Sequence, residues 1–554
     1  MTSEQIEPAT VISQQKRHYL FLWLLALACL FELLYLLLLA LSPLPGLHLS
    51  DSPLVKALPW TLIPSQVLTS VIGPFIQNGP VRIWFPSLLL GLTFLGLAGI
   101  YTLAILAVLR LPPTNKTARY WLFLLLGASL FFGLTLLLQP LLLSDDVFTY
   151  IFSGRILAIY HADPMNTAPK QFPADPYLRW VILGRNTPNI FGTLWLWVSS
   201  RLAILSASPW VTLLLFKGLE LLAHLVNGAL VWSILDRIAP DRRVPGTLLY
   251  LWNPLALIEL AGSGHNEGFL LCLLLVATWL YVLKFRGSFL WRWCCEIGAL
   301  LVFGLAISTN LITLLLVPLL IWFEVRSQQG VFHIIWNSSW RALVMLVPAL
   351  LILFQFWHGS YTFFALTSAM DMDHFVHSPV GLLSVPLRAL YQTVATDWKV
   401  PSIIAPTVAA DVTLRASATF IFILIYSHLF SQVRSVPALL SPPRKQPGME
   451  AGLDILLKSW GVAIFWYMIL VSGWFWPWYL LWMLWIIVLQ RLDAFNSAML
   501  VLSCTALFIY PFVGFTRTQI ASYQTALIFG VPLAYLIIAW SKQKRAERTT
   551  TSYD

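Results

Sequence analysis

Runs of roughly twenty apolar residues, the length that an α-helix needs to cross a bilayer, recur along the whole chain. The first extends from Tyr19 to Leu41 and is too long for the core of a cleavable signal peptide, so we interpret it as a membrane anchor. Only 10% of the 554 residues are charged, whereas soluble globular proteins carry about 25%. The sequence therefore predicts an all-α polytopic membrane protein, folded as a single integral membrane domain over residues 1–554.

The number of crossings follows from the charges that flank the apolar segments. Basic residues near Lys16 and Lys544 predict that both termini are cytoplasmic, which requires an even number of crossings. Thirteen segments can be drawn, so we expect the one at 298–323 to be split near Asn310 into two short pieces. This gives about 14 transmembrane segments, with 12 or 13 as alternatives. The segments lie near 19–41, 86–109, 120–142, 209–235, 247–263, 266–284, 298–323, 342–357, 411–432, 459–474, 477–490, 496–513 and 524–541.

Three long stretches, 42–85, 143–208 and 358–410, are predicted to be outer loops, and amphipathic surface helices are expected in them. The inner loops are short and basic, as the positive-inside rule expects. The net charge of +10 is spread over these loop ends and forms no continuous stripe. We therefore expect membrane lipid, and no nucleic acid, as a partner.

An acidic pair, Asp145-Asp146, opens the 143–208 loop at the predicted membrane surface. The residues after it have helical apolar spacing, which predicts a surface helix with Asp146, Tyr150 and Arg155 on its rim. A carboxylate there can take a proton from an acceptor hydroxyl, and an arginine can hold a phosphate. The alternative is a helix cap, in which Ser144 or Asp145 only stabilises the first turn.

A polar turn follows the Leu251-Trp252-Asn253-Pro254 stretch. It contains His265, Asn266 and Glu267, and Glu259 lies in the apolar run just before it. A carboxylate at that depth is costly unless it has a partner and a use, and His265 is the nearest candidate partner. The alternative is a plain solvated turn.

Aromatic residues crowd a third stretch, at 473–479, where Trp476, Trp478 and Tyr479 surround Pro477. Aromatic residues are common at membrane interfaces, which is the simplest interpretation. The alternative is an aromatic wall for a sugar ring or a polyprenyl chain, beside the helix break that Pro477 introduces.

Other polar residues in or near apolar runs have simpler interpretations. Lys217 and Glu220 are three residues apart on one helical face and are predicted to neutralise each other. His374 and His377 lack a third ligand at metal spacing, so no metal site is expected. The chain contains no phosphate-cradling glycine loop and no nucleotide-binding domain, so an enzyme of this kind needs a substrate carried by lipid.

Five short motifs in order resemble the GT-C superfamily of multi-span glycosyltransferases, and within it the polyprenyl-phosphate-mannose-dependent α-mannosyltransferases of bacterial lipoglycan assembly. They are Ser144–Tyr150 with Gly154-Arg155, Phe191–Trp195, Leu251–Pro254, Gly264–Glu267 and Trp476–Tyr479. The sequence departs from the family pattern with Phe191 and Thr193 in the second motif, Glu267 in the fourth, and Met165 after Asp163-Pro164. A lysine often found in the family is replaced near Asn310.

The resemblance implies a GT-C-like fold and an inverting transfer of a hexose, expected to be mannose, from a polyprenyl-phosphate donor to an extracytoplasmic glycan or lipid-linked acceptor. Asp145 or Asp146 would be the general base, and Arg155 or His265 would bind the donor phosphate. Tyr150, Asn266, Glu267, Glu259, Trp476, Trp478 and Tyr479 would bind substrate. No cofactor is implied. The rival hypothesis is a transporter or flippase of lipid-linked substrates, which predicts polar pairs at mid-bilayer on broken helices in related halves.

Overall fold

The computed structural model describes residues 8–41, 63–76, 81–110, 118–139, 142–189, 191–359, 362, 375–397, 404–435, 447–512 and 519–550. Within these ranges all regular elements are helical, and the only β-type contact is an isolated bridge between Val376 and Trp474. The all-α polytopic prediction is confirmed. The predicted outer loops 42–85 and 358–410 lie partly outside the described residues, and His374 lies outside them.

Nineteen α-helices make up the described structure. They are α1 (Pro8–Leu41), α2 (Ile63–Ile76), α3 (Val81–Val108), α4 (Ala118–Leu137), α5 (Asp146–Ala158), α6 (Thr193–Ala203), α7 (Pro209–Ile238), α8 (Arg243–Leu251), α9 (Pro254–Leu257), α10 (Glu267–Leu283), α11 (Phe289–Thr309), α12 (Val317–Val325), α13 (Val331–Phe354), α14 (Ser384–Asp397), α15 (Pro406–Arg434), α16 (Pro447–Trp466), α17 (Leu481–Leu489), α18 (Ala494–Thr505) and α19 (Gln519–Thr550).

Ten helices among the described residues are long and apolar enough to cross a membrane, and a bent helix pair raises the number to 11. Three shorter apolar helices, at Glu267–Leu283, Leu311–Val325 and Pro477–Leu489, lie beside them. The multi-span prediction is thus confirmed, whereas the total of 14 stays a prediction. Many side chains on the long helices are apolar and exposed, which is the surface that lipid covers.

The break near Asn310 occurs as predicted. Helix α11 ends at Thr309, and Asn310 adopts an extended backbone conformation. Its side chain accepts a hydrogen bond from the N–H of Ile312 and so caps a short 3₁₀ turn that precedes α12. A polar side chain satisfies the backbone at the interruption, which allows irregular structure within an apolar region.

A second break positions the candidate site. Helix α8 and the segment Pro254–Gly262 meet at an angle of 46°. Asn253 lies at the bend, where its side-chain oxygen accepts the N–H of Ala256 and its amide donates to Ser503 at 3.1 Å. Pro254 follows at the first helical position, which it favours. The Leu251–Pro254 motif therefore forms the bend between α8 and the segment Pro254–Gly262.

Helix α5 does not lie on the surface as an amphipathic helix, and this part of the prediction is wrong. Its residues from Val147 to Gly154 are all buried, because α6, α7 and the loop turn that carries Trp180 enclose it. Helix α6 does match the expectation, with Trp195 and Ser199 buried and Trp197 exposed. Apolar residues lie on several faces of α5, and its small polar residues Thr149 and Ser153 are buried with them.

Candidate functional site

The acidic pair lies where α5 begins. Asp146 is the first helical residue, and Asp145 precedes it. The N-cap residue is Asp145, whose side chain makes no capping hydrogen bond, and the hydroxyl of Ser144 accepts the N–H of Asp146 at 3.3 Å. The side chain of Asp146 is 20% exposed, whereas Asp145 is only 5% exposed. Asp146 is therefore the carboxylate that a substrate can reach.

The polar turn at 263–266 brings His265 to this carboxylate. Its Nδ1 lies 3.8 Å from Asp146 Oδ2 and 3.5 Å from the hydroxyl of Tyr150. On the other side of the ring, Nε2 lies 3.4 Å from Glu259 Oε2. Gly264 has φ +78°, a conformation that side chains rarely adopt, and its backbone passes close to Val147. A glycine here allows the turn to reverse tightly against α5.

Glu259 has a partner that the sequence did not reveal. The hydroxyl of Tyr510 donates to Glu259 Oε1 at 2.6 Å, across 251 positions of the sequence. Glu259 lies in a π-helical turn, Ile258–Gly262, that ends at the polar turn. Turns of this kind are frequent at functional sites. Tyr510 is one of 18 tyrosines in the chain and follows an apolar run, so no local signal could have singled it out.

Aromatic rings form one wall of the cluster. The ring of Trp478 stacks on His265 with centroids 3.9 Å apart, and Trp476 lies parallel to Trp478 at 5.2 Å. His377 packs edge-on against Trp476 at 5.5 Å. Tyr479 instead stacks on Trp482. Trp478 therefore contacts the acidic cluster through His265, and Trp476 reaches it through Trp478.

His377 belongs to a strand-like contact that holds the third loop against this wall. The N–H of Val376 donates to Gly473 O, and the N–H of Phe475 donates to Val376 O, each at 2.9 Å. The hydroxyl of Ser378 also donates to Ser472 O. Residues 375–378 therefore belong to the same site as the acidic pair.

Asn266 and Glu267 are buried at the start of α10, next to His265. Glu220 lies beneath them, where its Oε2 accepts the N–H of Phe269 at 3.2 Å. Lys217 donates instead to the backbone carbonyls of Leu136 and Gln139 at the end of α4. The prediction that Lys217 and Glu220 neutralise each other is therefore wrong. Lys217 binds carbonyl groups at the C-terminal end of α4, and Glu220 binds an N–H group at the N-terminal end of α10.

Arg155 does not join the cluster. Its Nε and Nη2 both lie 2.9 Å from Asp175 Oδ2, and its guanidinium stacks 4.0 Å above the ring of Tyr177. Tyr160 donates to the same carboxylate oxygen at 2.8 Å. Nine residues of helix separate Arg155 from Asp146, about 13 Å along the axis. The predicted common rim of Asp146, Tyr150 and Arg155 is therefore incomplete, with only Tyr150 near Asp146.

Burial determines the protonation states at the site. Burial first, and the neighbouring charge of Asp145 second, raise the pKa of Asp146 to about 7. Burial also lowers the pKa of His265 to about 3, so this imidazole is neutral at physiological pH. Both shifts follow from the cost of placing a charge away from water. A carboxylate that exchanges its proton near pH 7 beside a neutral imidazole suits general-base chemistry.

Comparison with known proteins shows which family the chain resembles. Residues 63–326 match the family model described as alpha-(1->6)-mannopyranosyltransferase, N-terminal domain, of the MptA/B family. The matched region is slightly less than half of the chain and contains the acidic pair, His265 and Glu267. Over residues 63–326 the chain is similar to these mannosyltransferases. The predicted resemblance to α-mannosyltransferases is confirmed.

A solved structure also matches this mannosyltransferase-like protein. It is the archaeal oligosaccharyltransferase AglB from Archaeoglobus fulgidus, in complex with an inhibitory peptide and a dolichol-phosphate. The identity is 12% and the TM-score 0.35, and the match covers 74% of this chain and 56% of that one. No curated protein matches the chain significantly.

One further family-like motif, Phe191–Trp195, has a structural role in this mannosyltransferase-like protein. A Cβ on Gly192 would lie 2.2 Å from the carbonyl oxygen of Thr309, so the start of α6 packs directly on the end of α11. Phe191 contacts the ring of Tyr150 edge-on, with centroids 4.5 Å apart. The 191–195 motif therefore supports the back of the site.

Within the described part of the chain, no three His, Cys, Asp or Glu side chains are arranged to hold a metal ion. The His265 ring lies between the carboxylates of Asp146 and Glu259.

Proposed function

We propose that this protein is a GT-C-type glycosyltransferase that moves mannose from a polyprenyl-phosphate donor to a glycan or lipid-linked acceptor. The observation that carries this proposal is the match of residues 63–326 to α-(1→6)-mannopyranosyltransferases, because that region contains the acidic pair and the His265 turn. Lipid-borne donors enter a site from the membrane, and helices of membrane-spanning length surround this one.

The general base of the proposed reaction is Asp146. Its carboxylate is partly exposed, whereas Asp145 is buried and raises the pKa of its neighbour. Asp146 takes the proton of the acceptor hydroxyl as the acceptor oxygen attacks the anomeric carbon. A new C–O bond forms on one face of the sugar, and the bond to the phosphate oxygen breaks on the other. The electron pair leaves with the polyprenyl phosphate, and the anomeric configuration inverts.

His265 and the aromatic wall position the reactants in this proposal. The neutral imidazole is held between Glu259 and Trp478 and presents Nδ1 to Asp146. Trp476 and Trp478 offer flat apolar faces of the kind on which sugar rings stack. Asn266, Glu267 and Tyr150 supply polar groups next to them, which suits a ligand with several hydroxyls.

The proposal is tested by transfer of mannose from synthetic polyprenyl-phosphate mannose in lipid nanodiscs, with GDP-mannose as the alternative donor. Asp146→Asn is expected to lower turnover by roughly 10²- to 10⁴-fold, the range for loss of a general base. Asp397→Asn makes the same chemical change on the exposed surface of α14 and is expected to leave turnover unchanged. Transfer from GDP-mannose alone, or full activity of Asp146→Asn, contradicts the proposal.

We also propose that the acidic cluster faces the outer side of the membrane and that both termini are cytoplasmic. The basic residues near both ends and in the short loops support this orientation. A single cysteine at the exposed Lys170, in a variant without native cysteines, is expected to react with a membrane-impermeant maleimide from outside intact cells. Labelling only after the membrane is opened reverses the orientation.

A further inference from the structure

Helix α7 carries two buried ionisable residues, and each contacts a different half of the candidate site. Lys217 and Glu220 are three positions apart, so they lie on the same face of this helix. Lys217 is 1% exposed and Glu220 is fully buried, so neither side chain is open to a substrate. Ionisable side chains inside a membrane protein are costly unless a specific contact uses them. Their contacts therefore show what α7 contributes to the site.

Lys217 binds the chain that leads to the acidic pair. Its Nζ donates to Leu136 O at 3.1 Å and also to Gln139 O, at the C-terminal end of α4. The last carbonyl groups of a helix have no partner within the helix, and a lysine is favourable there because the helix dipole is negative at this end. Gln139 precedes Asp145 by six positions. Lys217 therefore holds the chain shortly before it enters α5.

The stem of the same lysine packs against the turn that carries His265. A Cβ on Gly264 would lie 3.1 Å from Lys217 Cγ and 3.2 Å from Val147 Cγ2. Gly264 directly precedes His265, and Val147 directly follows Asp146. The side chain of Lys217 therefore lies where the first turn of α5 meets the turn with the imidazole.

Glu220 binds the chain that leaves the His265 turn. Its Oε2 accepts the N–H of Phe269 at 3.2 Å, in the first turn of α10. The same oxygen lies 2.3 Å from the place of a Cβ on Gly268, so a side chain at that position would prevent this close approach. A carboxylate is favoured at the N-terminal end of a helix by the unpaired N–H groups and by the helix dipole. Glu220 therefore holds α10 four residues after His265.

We propose that Lys217 and Glu220 are positioning residues for the transfer reaction, and that together they set the distance between Asp146 and His265. One helical turn separates the two side chains on α7, so the two chain segments that they hold cannot shift independently. The 3.8 Å between Asp146 Oδ2 and His265 Nδ1 is thus maintained by contacts with a single helix. A displacement of about 1 Å at a reacting group can lower a rate by about 10²-fold. This role rests on the function proposed above, because it takes Asp146 as the base.

Transfer of mannose from polyprenyl-phosphate mannose in lipid nanodiscs tests this role. Lys217→Met keeps an apolar stem without the donor group, and is expected to lower kcat by roughly 10- to 100-fold while the donor KM changes by less than about 3-fold. Lys284→Met is the matched control, because Lys284 is also buried and donates to Glu324 at 2.9 Å. It lies at the other end of α10, about 25 Å from Glu267 along the axis. This control is expected to lower Tm and to leave kcat unchanged.

Two substitutions of Glu220 separate the hydrogen bond from the charge and decide the test if Lys217→Met does not fold. Glu220→Gln keeps an oxygen that can accept the N–H of Phe269, and is expected to retain most of kcat. Glu220→Met removes this acceptor and is expected to lower kcat by roughly 10-fold or more, again with little change in the donor KM. Equal kcat values for these two variants contradict the role of Glu220.

A double variant shows whether Lys217 acts through the base. In Asp146→Asn the base is already absent, so the addition of Lys217→Met is expected to lower the residual kcat by less than about 2-fold. The proposal is overturned by an equal loss in both backgrounds, by wild-type kcat in folded Lys217→Met, or by an effect confined to the donor KM. If the wild type transfers no mannose from this donor, the proposed function itself fails, and the role of Lys217 and Glu220 in it fails too.

Discussion

Asp146 Oδ2 and His265 Nδ1 lie 3.8 Å apart, although the two residues come from different helical segments that are distant in the chain. Helix α5 brings the carboxylate, and the turn after the bent helix pair brings the imidazole. The ring is kept neutral by its burial, so it cannot neutralise the carboxylate. The proton affinity of Asp146 is consequently determined by burial and by Asp145.

The rate of the proposed transfer is expected to rise with pH through about 7, because a general base acts only when ionised and the pKa of Asp146, the proposed base, is raised to about 7. Asp145→Asn removes the neighbouring charge and is expected to move this limb to lower pH while activity remains. The profile of kcat/KM against pH reports these groups in the free enzyme. If kcat/KM rises over the same pH range in the wild type and in Asp145→Asn, the assignment of this rise to Asp146 is refuted.

The raised pKa of Asp146 also predicts that the stability of the protein falls over the pH range in which the rate of transfer rises. Since the pKa of Asp146 is higher in the folded protein than the ordinary value of 3.8, folding favours its neutral form. Its contribution to the free energy of unfolding is complete below about pH 4 and declines as the pH rises through about 7. Asp146→Asn is expected to flatten this part of the dependence of Tm on pH. A profile that stays equally steep in the variant contradicts the shift.

Arg155→Gln distinguishes a structural arginine from a phosphate ligand. The pair with the buried carboxylate of Asp175 predicts loss of stability, of about 3–5 kcal/mol for one partner of a buried pair. The double variant Arg155→Gln, Asp175→Asn removes the unpaired charge and is expected to recover part of the Tm. A raised KM for the donor with an unchanged Tm would instead support the original assignment of Arg155 to the donor phosphate.

Gly192→Ala is expected to destabilise the protein by about 1–3 kcal/mol, because a Cβ there meets the backbone of Thr309 and the helices must separate. Gly218→Ala is the matched control. It lies in the interior of α7 with nothing within 4 Å of its Cβ, and alanine favours the helix by up to about 1 kcal/mol. Thermal unfolding in one detergent measures both. Equal Tm values for the two variants would mean that α6 does not pack on α11 as described.

Trp478→Leu is expected to raise the KM for the sugar donor by roughly 3- to 10-fold, the effect of losing one aromatic stacking contact. It also removes the ring that stacks on His265. Trp336→Leu makes the same change on an exposed surface far from the site and is expected to leave the KM unchanged. A donor KM that is insensitive to Trp478 would argue against the aromatic wall as a sugar platform.

Several features were accessible from the sequence because they depend on local composition. The apolar runs predicted membrane helices, and the polar residues at Ser308–Asn310 predicted the break between α11 and α12. The clustering of Asp146, His265, Glu259 and Trp478 was anticipated only as a set of separate motifs, since no periodicity relates one helix to another. Their order resembled a known family, and the family match supports that resemblance.

Other features were decided by tertiary contacts. The sequence shows that Arg155 is a cation, but only the structure shows that it pairs with the carboxylate of Asp175 and not with a group in the site. Lys217 and Glu220 share a helical face, yet each binds the end of a different helix. Tyr510 reaches Glu259 from the last part of the chain.

The amino-acid sequence by itself determined that the chain forms many membrane-spanning helices, because the length of an apolar run and the number of charges in it are properties of each segment alone. Which charged side chains meet one another was decided only by the folded structure. Ion pairs and buried carboxylates depend on distances of a few ångströms between distant segments, and these distances exist only after the helices have packed.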